Sequence, residues 1–238
     1  MMSRLRVTRP VPNFEIEPGR SPNGIPSCKG FAASTSGFVG LTFDDGPHPV
    51  NTVPLLEYLL ENDIWASFFL QGDQAKQHPD IVRALFKAGM VIGNHSWDHP
   101  DFQQLTAPEI VDQVTRAHDT LSGIIGEPVR VFRAPFNAIY DCTGSPSPLF
   151  DTLQKLGYSH YCSYDPGISD WQGETVDELI DQFKALLPAQ HGFVNFDHKW
   201  ILLHDVQGNP ERMRELLDWI NQQVSQLSLR FAGVISSV

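Results

Sequence analysis

Phe38-Val-Gly-Leu-Thr-Phe43, followed at once by Asp44-Asp45-Gly46-Pro47, sets an apolar run directly against two adjacent carboxylates and a tight turn. Residues 38–43 read as a strand, being rich in β-branched and aromatic side chains and closed by turn formers. Two ionised carboxylates side by side repel, so the pair costs free energy unless a cation or an arginine neutralises it. The plainer reading is an Asx turn or a cap ahead of a helix near Thr52. What the rest of the chain brings to that strand end decides between them.

Outward from this stretch the same rhythm repeats. Further β-prone runs fall at 64–70, 90–93, 129–132, 158–163, 200–204 and 229–236. Between them lie helical patterns with apolar positions three and four apart, such as Leu55-Leu56-Leu59-Leu60 and Ile81-Val82-Leu85-Phe86. Thr106-Ala-Pro-Glu109 and Thr175-Val-Asp-Glu178 have the capping-box pattern that opens a helix, and Pro188 stops the second. A last helix runs from about Pro210 to Leu227, with Met213, Leu216, Leu217, Ile220 and Val224 as its buried stripe. Seven strands alternating with six helices predict an α/β fold with a parallel sheet, either an open doubly wound one or one closed into a barrel.

The polar residues favour the barrel. The first strand ends in Asp44-Asp45, the third in His95-Ser-Trp-Asp-His99 and the fourth in Arg133-Ala-Pro-Phe136. The fifth leads to Asp165 and Asp170-Trp171, and the sixth ends Leu203-His204-Asp205. Ionisable clusters on five strand ends come together in space if those ends share one rim. Residues 1–37, with five prolines between positions 9 and 37, read as an irregular arm packed on a single domain spanning 38–238.

Composition narrows the partners. The 238 residues carry 17 Lys and Arg against 28 Asp and Glu, a net charge of −11. An acidic chain without a basic cluster is a poor binder of phosphate backbones, so nucleic acid is not expected as a partner. No apolar run approaches the ~18 residues of a membrane span. The N-terminal residues lack the apolar stretch of a secretory signal, so the chain as written reads as cytoplasmic, or as exported if a leader precedes it. Cys28, Cys142 and Cys162 cannot all pair within one chain; they read as idle or buried thiols, with one disulfide involving Cys142 or Cys162 left open.

His95 and His99, four apart between Gly93 and Pro100, have a spacing that lets two imidazoles reach one divalent ion from a loop. Surface or capping histidines are the bland alternative for such a pair. Together with Asp45 they supply two nitrogens and one oxygen, leaving positions for water and substrate. That is the donor set of a catalytic zinc-type site, and it suits Zn²⁺, Co²⁺ or Fe²⁺ better than Mg²⁺.

Taken in order, TFDDGP at 42–47, HSWDH at 95–99, RAPF at 133–136, Asp170-Trp171 and LLHD at 202–205 resemble the five motifs of the polysaccharide deacetylases of carbohydrate esterase family 4. The likeness covers about residue 38 to the C-terminus. It implies a distorted, TIM-like (β/α)7 barrel. It also implies a metal-dependent hydrolase that removes N-acetyl groups from GlcNAc-containing oligo- or polysaccharides such as chitin, chitooligosaccharide or peptidoglycan. Asp45, His95 and His99 would hold the metal, with Zn²⁺ first and Co²⁺ or another transition metal as substitutes. Asp44 would be the general base and Arg133 its anchor. His204 would be the general acid, held by Asp170. Trp171 and Leu203 would wall the pocket for the acetyl methyl, and the Phe136 N–H would face the oxyanion.

Two departures from the family pattern stand out. Phe136 occupies a position where many relatives carry tyrosine, and the long loop between Asp165 and Asp170 leaves Asp165 as a rival partner for His204. Residues 137–148 read as a rim loop shaping substrate choice. The same architecture also accommodates an O-deacetylase of acetylxylan, a hydrolase of a non-sugar amide or imide, or a catalytically silent carbohydrate-binding protein.

Overall fold

The structure, a computed structural model, describes residues 19–20, 26–28, 37–137, 148–162, 164, 166–205 and 209–233. In chain order its elements are β1 (Gly19–Arg20), β2 (Pro26–Cys28), β3 (Phe38–Asp44), α1 (Thr52–Glu61), β4 (Ser67–Leu70), α2 (Gly72–Gln77), α3 (Pro79–Lys87) and β5 (Val91–Asn94). Then follow α4 (Ala107–Ile125), β6 (Val131–Phe132), α5 (Pro148–Lys155), β7 (His160–Cys162), α6 (Val176–Leu186), β8 (Ala189–Gln190), β9 (Phe193–Val194), β10 (Trp200–His204), α7 (Pro210–Gln226) and β11 (Arg230–Ala232).

The main sheet runs β1-β2-β7-β6-β5-β4-β3-β10, parallel throughout except for the β1–β2 pair. It curls into the distorted barrel expected from the sequence. β10 takes one edge of β3, from Gly40 to Asp44. The other edge is shared, with β11 on Phe38–Gly40 and β4 on Thr42–Asp44. On the far edge of β10 the chain leaving β7 passes alongside: Leu202 N donates to the Pro166 carbonyl at 3.1 Å and Gly167 bridges Leu202. The proline-rich N-terminal segment contributes β1 and β2, which its composition did not suggest, and Cys28 stands in register with Cys162.

All seven expected strands are present, several shorter than the β-prone runs that announced them. β4 begins at Ser67 and β6 at Val131, because the preceding Ile64 and Val129 are spent on packing under helices. Both capping boxes form. Thr106 N donates to Glu109 Oε2 at 2.7 Å and Thr175 N to Glu178 Oε2 at 2.8 Å. The Thr106 hydroxyl and N–H hold Glu109, and the Thr175 N–H and hydroxyl hold Glu178, below their ordinary carboxylate range.

Alternation along β3 explains the two layers. Val39, Leu41 and Phe43 are fully buried in the large core beneath the helices, with Leu203, Phe68 and Ile220. Gly40, Thr42 and Asp44 face the opposite way, into the barrel. There a smaller cluster of Phe69, Val131, Cys162, Trp200 and Ala232 fills the floor. Gly40 and Gly93 are required by these rings, since a Cβ on either would overlap Trp200 or Phe69. With the floor packed, the inner face is free for polar groups at the C-terminal rim.

Candidate active site

Asp44 is the last inward residue of β3 and Asp45 the first residue beyond it, in the left-handed region at φ 75°. The change of conformation turns two neighbouring carboxylates to different tasks. Asp44 is 3% exposed, and its Oδ1 accepts from Arg133 Nη1 at 2.6 Å. Arg133 also donates to Thr42 Oγ1 at 2.8 Å, and Thr42 Oγ1 in turn donates to the Ile201 carbonyl at 2.8 Å. The guanidinium lies over the Phe69 ring, 4.1 Å from its centroid, so the barrel floor supports it from below. Burial raises the Asp44 carboxyl above its usual range although Arg133, by charge and hydrogen bond, pulls it down.

Asp45 faces the histidines. Its Oδ1 lies 3.5 Å from His95 Nε2 and 3.2 Å from His99 Nε2, and ligand atoms of all three residues lie within 4.8 Å of one another. The loop after β5 is built for this. Asn94 Oδ1 accepts from Ser96 N at 2.8 Å, Ser96 Oγ accepts from His99 N at 3.1 Å, and Ser96 and His99 both take positive φ. His95 Nδ1 donates to the Arg133 carbonyl at 2.8 Å; a carbonyl can only accept, so the proton sits on Nδ1 and the Nε2 lone pair is free. Burial drives the His95 imidazole down to about 3, against the pull of Asp45, so it is neutral as a ligand must be. Two imidazole nitrogens and a carboxylate oxygen converging on one point fit a divalent cation.

Across the rim, His204 ends β10 beside Asp44, paired in register. Its Nδ1 donates to Asp170 Oδ1 at 2.8 Å and its backbone N to Asp170 Oδ2 at 2.7 Å. Burial alone would lower this imidazole, but the Asp170 hydrogen bond and charge, with Asp44 and Asp45, carry it to about 9. Asp170 is therefore the residue the structure brings to His204; Asp165 lies outside the described residues, as do positions 138–147 of the expected rim loop. Arg212 of α7, not anticipated from sequence, donates to the carbonyls of Asp170 and Glu174 and ties down that turn.

The remaining expected residues divide. Trp171 is 47% exposed next to Asp170, and Phe136, at φ 56°, projects its ring into solvent edge-on to His99 with centroids 4.7 Å apart. Leu203 requires correction. Neighbouring strand residues face opposite ways, so Leu203 points away from His204 and is fully buried in the core beneath the helices. Leu202 shares a face with Trp200 and is buried outside both apolar clusters. The period-two rule applied to Leu202-Leu203-His204 is the signal that identifies it.

Asp205 supports the rim from behind. Thr52 Oγ1, at the start of α1, donates to its Oδ2 at 2.6 Å. Burial, with the charge of Asp45, raises this carboxyl to about 7 despite the Thr52 bond. Gly46 packs so closely on it that a Cβ would overlap the carboxylate.

The chain is similar to known proteins in sequence and in fold. A family described as polysaccharide deacetylase matches residues 32–159. A chitooligosaccharide deacetylase of Azorhizobium caulinodans is 36% identical over 167 residues, covering 69% of this chain and 72% of that protein. A peptidoglycan-N-acetylglucosamine deacetylase of Bacillus cereus is 34% identical over 200 residues, 83% of this chain and 66% of that one. Among solved structures, the peptidoglycan N-acetylglucosamine deacetylase Bc1960 superimposes with a TM-score of 0.72 at 25% identity, covering 84% of this chain and 87% of that one. A family 4 carbohydrate esterase from Streptomyces lividans, in complex with acetate, gives a TM-score of 0.67 at 30% identity over 84% and 93% of the two chains. With the motifs in order, the fold shared and the match spanning more than half of its length, this chain belongs to the polysaccharide deacetylases of carbohydrate esterase family 4.

Proposed function

We propose that this chain removes N-acetyl groups from N-acetylglucosamine units of a glycan such as chitin, chitooligosaccharide or peptidoglycan, releasing acetate and a free amine. The observation that carries the reading is a division of labour between neighbours. Asp45 turns to His95 and His99, while Asp44 is held by Arg133 at 2.6 Å and is left outside that cluster. Residues 38–238 form the catalytic unit in this reading, and residues 1–37 its arm.

Asp45, His95 and His99 would hold one divalent cation, and their donor set suits Zn²⁺, with Co²⁺ as a substitute. Such an ion polarises a carbonyl and lowers the pKa of water to about 7. The protein's own groups supply the rest. Asp44, with Oδ1 committed to Arg133, presents Oδ2 on the side of His95, at 3.7 Å from its Nε2, to receive the proton of the attacking water. His204, with Nδ1 committed to Asp170, presents Nε2 to protonate the departing nitrogen, which is a poor leaving group as an anion. Leu202 and Trp171 wall the methyl group, and the Phe136 N–H faces the oxyanion. The names of the relatives in Azorhizobium caulinodans and Bacillus cereus support a glycan substrate.

The test is acetate release from chitooligosaccharides by metal-reconstituted protein, beside acetylxylan and a cyclic imide. Acetate from the N-acetylated sugar, abolished by chelation and restored by Zn²⁺, is the expected result. Turnover of acetylxylan or the imide alone would replace the reading with another reaction on the same fold.

A further inference from the structure

We infer that Gln71 is a positioning residue of the cation site: its Nε2 donates to Asp45 Oδ1 at 3.2 Å and holds that oxygen turned toward the two histidines. The inference rests on reading Asp45, His95 and His99 as the site of a divalent ion. Of the strands expected from sequence to line the rim, β4 ends in no ionisable residue, and Gln71 stands immediately beyond it.

The backbone brings Gln71 to this position. β3 and β4 pair in register up to Asp44 and Phe69. Beyond that point Asp45 N donates to the Phe69 carbonyl at 3.2 Å, and Gln71 N donates to the Gly46 carbonyl at 2.9 Å. The two chain segments thus stay joined through the turn where Asp45 adopts its left-handed conformation, and the Gln71 side chain spans the remaining gap.

The proton count at Asp45 Oδ1 gives the contact its meaning. Three nitrogens surround this oxygen: His95 Nε2, His99 Nε2 and Gln71 Nε2. His95 Nε2 carries a lone pair, since its proton is on Nδ1, and so offers the oxygen nothing. An amide turned the other way would set Gln71 Oε1 against a carboxylate oxygen, two acceptors face to face, which fixes Nε2 as the near atom. The amide therefore offsets part of the cost of aiming a carboxylate at the His95 Nε2 lone pair before a cation arrives. Hydrogen-bond partners of this kind to a ligating carboxylate are worth about 10–100-fold in metal affinity.

Zn²⁺ titration of metal-stripped protein by calorimetry, with a competing chelator, tests the assignment. Gln71→Met keeps the length of the side chain and loses the N–H. It is expected to bind one ion per chain about 10–100-fold more weakly than the wild type, with an altered visible spectrum when Co²⁺ is used, and with the metal-free melting temperature unchanged. Gln71→Asn keeps the amide one methylene short of its acceptor and is expected to lose affinity in the same range. Affinity equal to wild type in both variants overturns the inference, as does a loss matched by a fall in metal-free melting temperature, which marks a structural role. A wild-type protein that binds no ion at all overturns the reading of the site itself, an outcome distinct from either.

Discussion

Arg133 and Asp44 form a buried ion pair, 2.6 Å between Nη1 and Oδ1, with side chains 1% and 4% exposed. Breaking such a pair strands a charge in the interior, at a cost of about 3–5 kcal/mol. Arg133→Met is therefore expected to lower unfolding free energy by about that amount, read by urea titration. The pH dependence has a definite sign. The folded Asp44 carboxyl already lies above its ordinary value through burial, and losing the guanidinium raises it further. A group with a raised folded pKa favours the folded state when protonated and loses that advantage as pH rises through the window. The gap between wild type and variant is thus wider at about pH 8 than at about pH 5, and a gap independent of pH contradicts the assignment.

Asp44→Asn is expected to retain one equivalent of metal and to lose turnover by about 10²–10⁴-fold, the usual contribution of a general base. His95→Ala loses the ion itself. Elemental analysis beside acetate release separates the two; equal metal content in both variants contradicts the division between Asp44 and Asp45.

His204, carried to about 9 against an ordinary value of 6.5, acts as an acid while protonated. Activity is expected to hold through neutral pH and to fall as pH rises through about 9. The stability this raised pKa contributes is present below the ordinary value and is lost over the same rise. Asp170→Asn removes the main upward pull, so the alkaline limb of the rate profile moves toward neutrality. An unmoved limb rules out His204 as the group titrating there.

Leu202 and Leu203 are adjacent in sequence and opposite in orientation. Leu203→Ala opens a cavity in the main core and costs about 2–5 kcal/mol of stability with KM unchanged. Leu202→Ala is expected to raise KM and to admit acyl groups larger than acetyl. The reverse pattern would place Leu203 at the pocket.

Gly40→Ala forces a methyl into the Trp200 ring. Overpacking of this kind costs about 1–3 kcal/mol, and denaturant unfolding of the variant measures it.

Much of this architecture is written in the sequence, for reasons visible at particular residues. Strand ends carrying Asp44, His95, Arg133 and His204 share a rim because parallel strands all point their C-termini one way, and that logic needs no knowledge of distances. The capping boxes at Thr106 and Thr175 were legible because the motif is local and self-contained. Leu203 departs from its expected place at the pocket because side chains alternate along β10, which sends it into the main core. Arg212 and Gln71 stayed hidden for a different reason: each acts through a contact between segments distant in sequence, Arg212 with Asp170 and Gln71 with Asp45. Nothing in their own neighbourhoods marks them. The strands of the N-terminal arm were likewise invisible, since β2 exists by pairing with β7 rather than by its own propensity.

The central claim is most directly tested by titrating metal-stripped protein with Zn²⁺ while following acetate release from a chitooligosaccharide. The account predicts no release without metal and a rate that climbs linearly and levels off at one ion per chain. Release unaffected by complete removal of the ion, or a fully loaded protein that frees no acetate from any N-acetylated glycan, would contradict it.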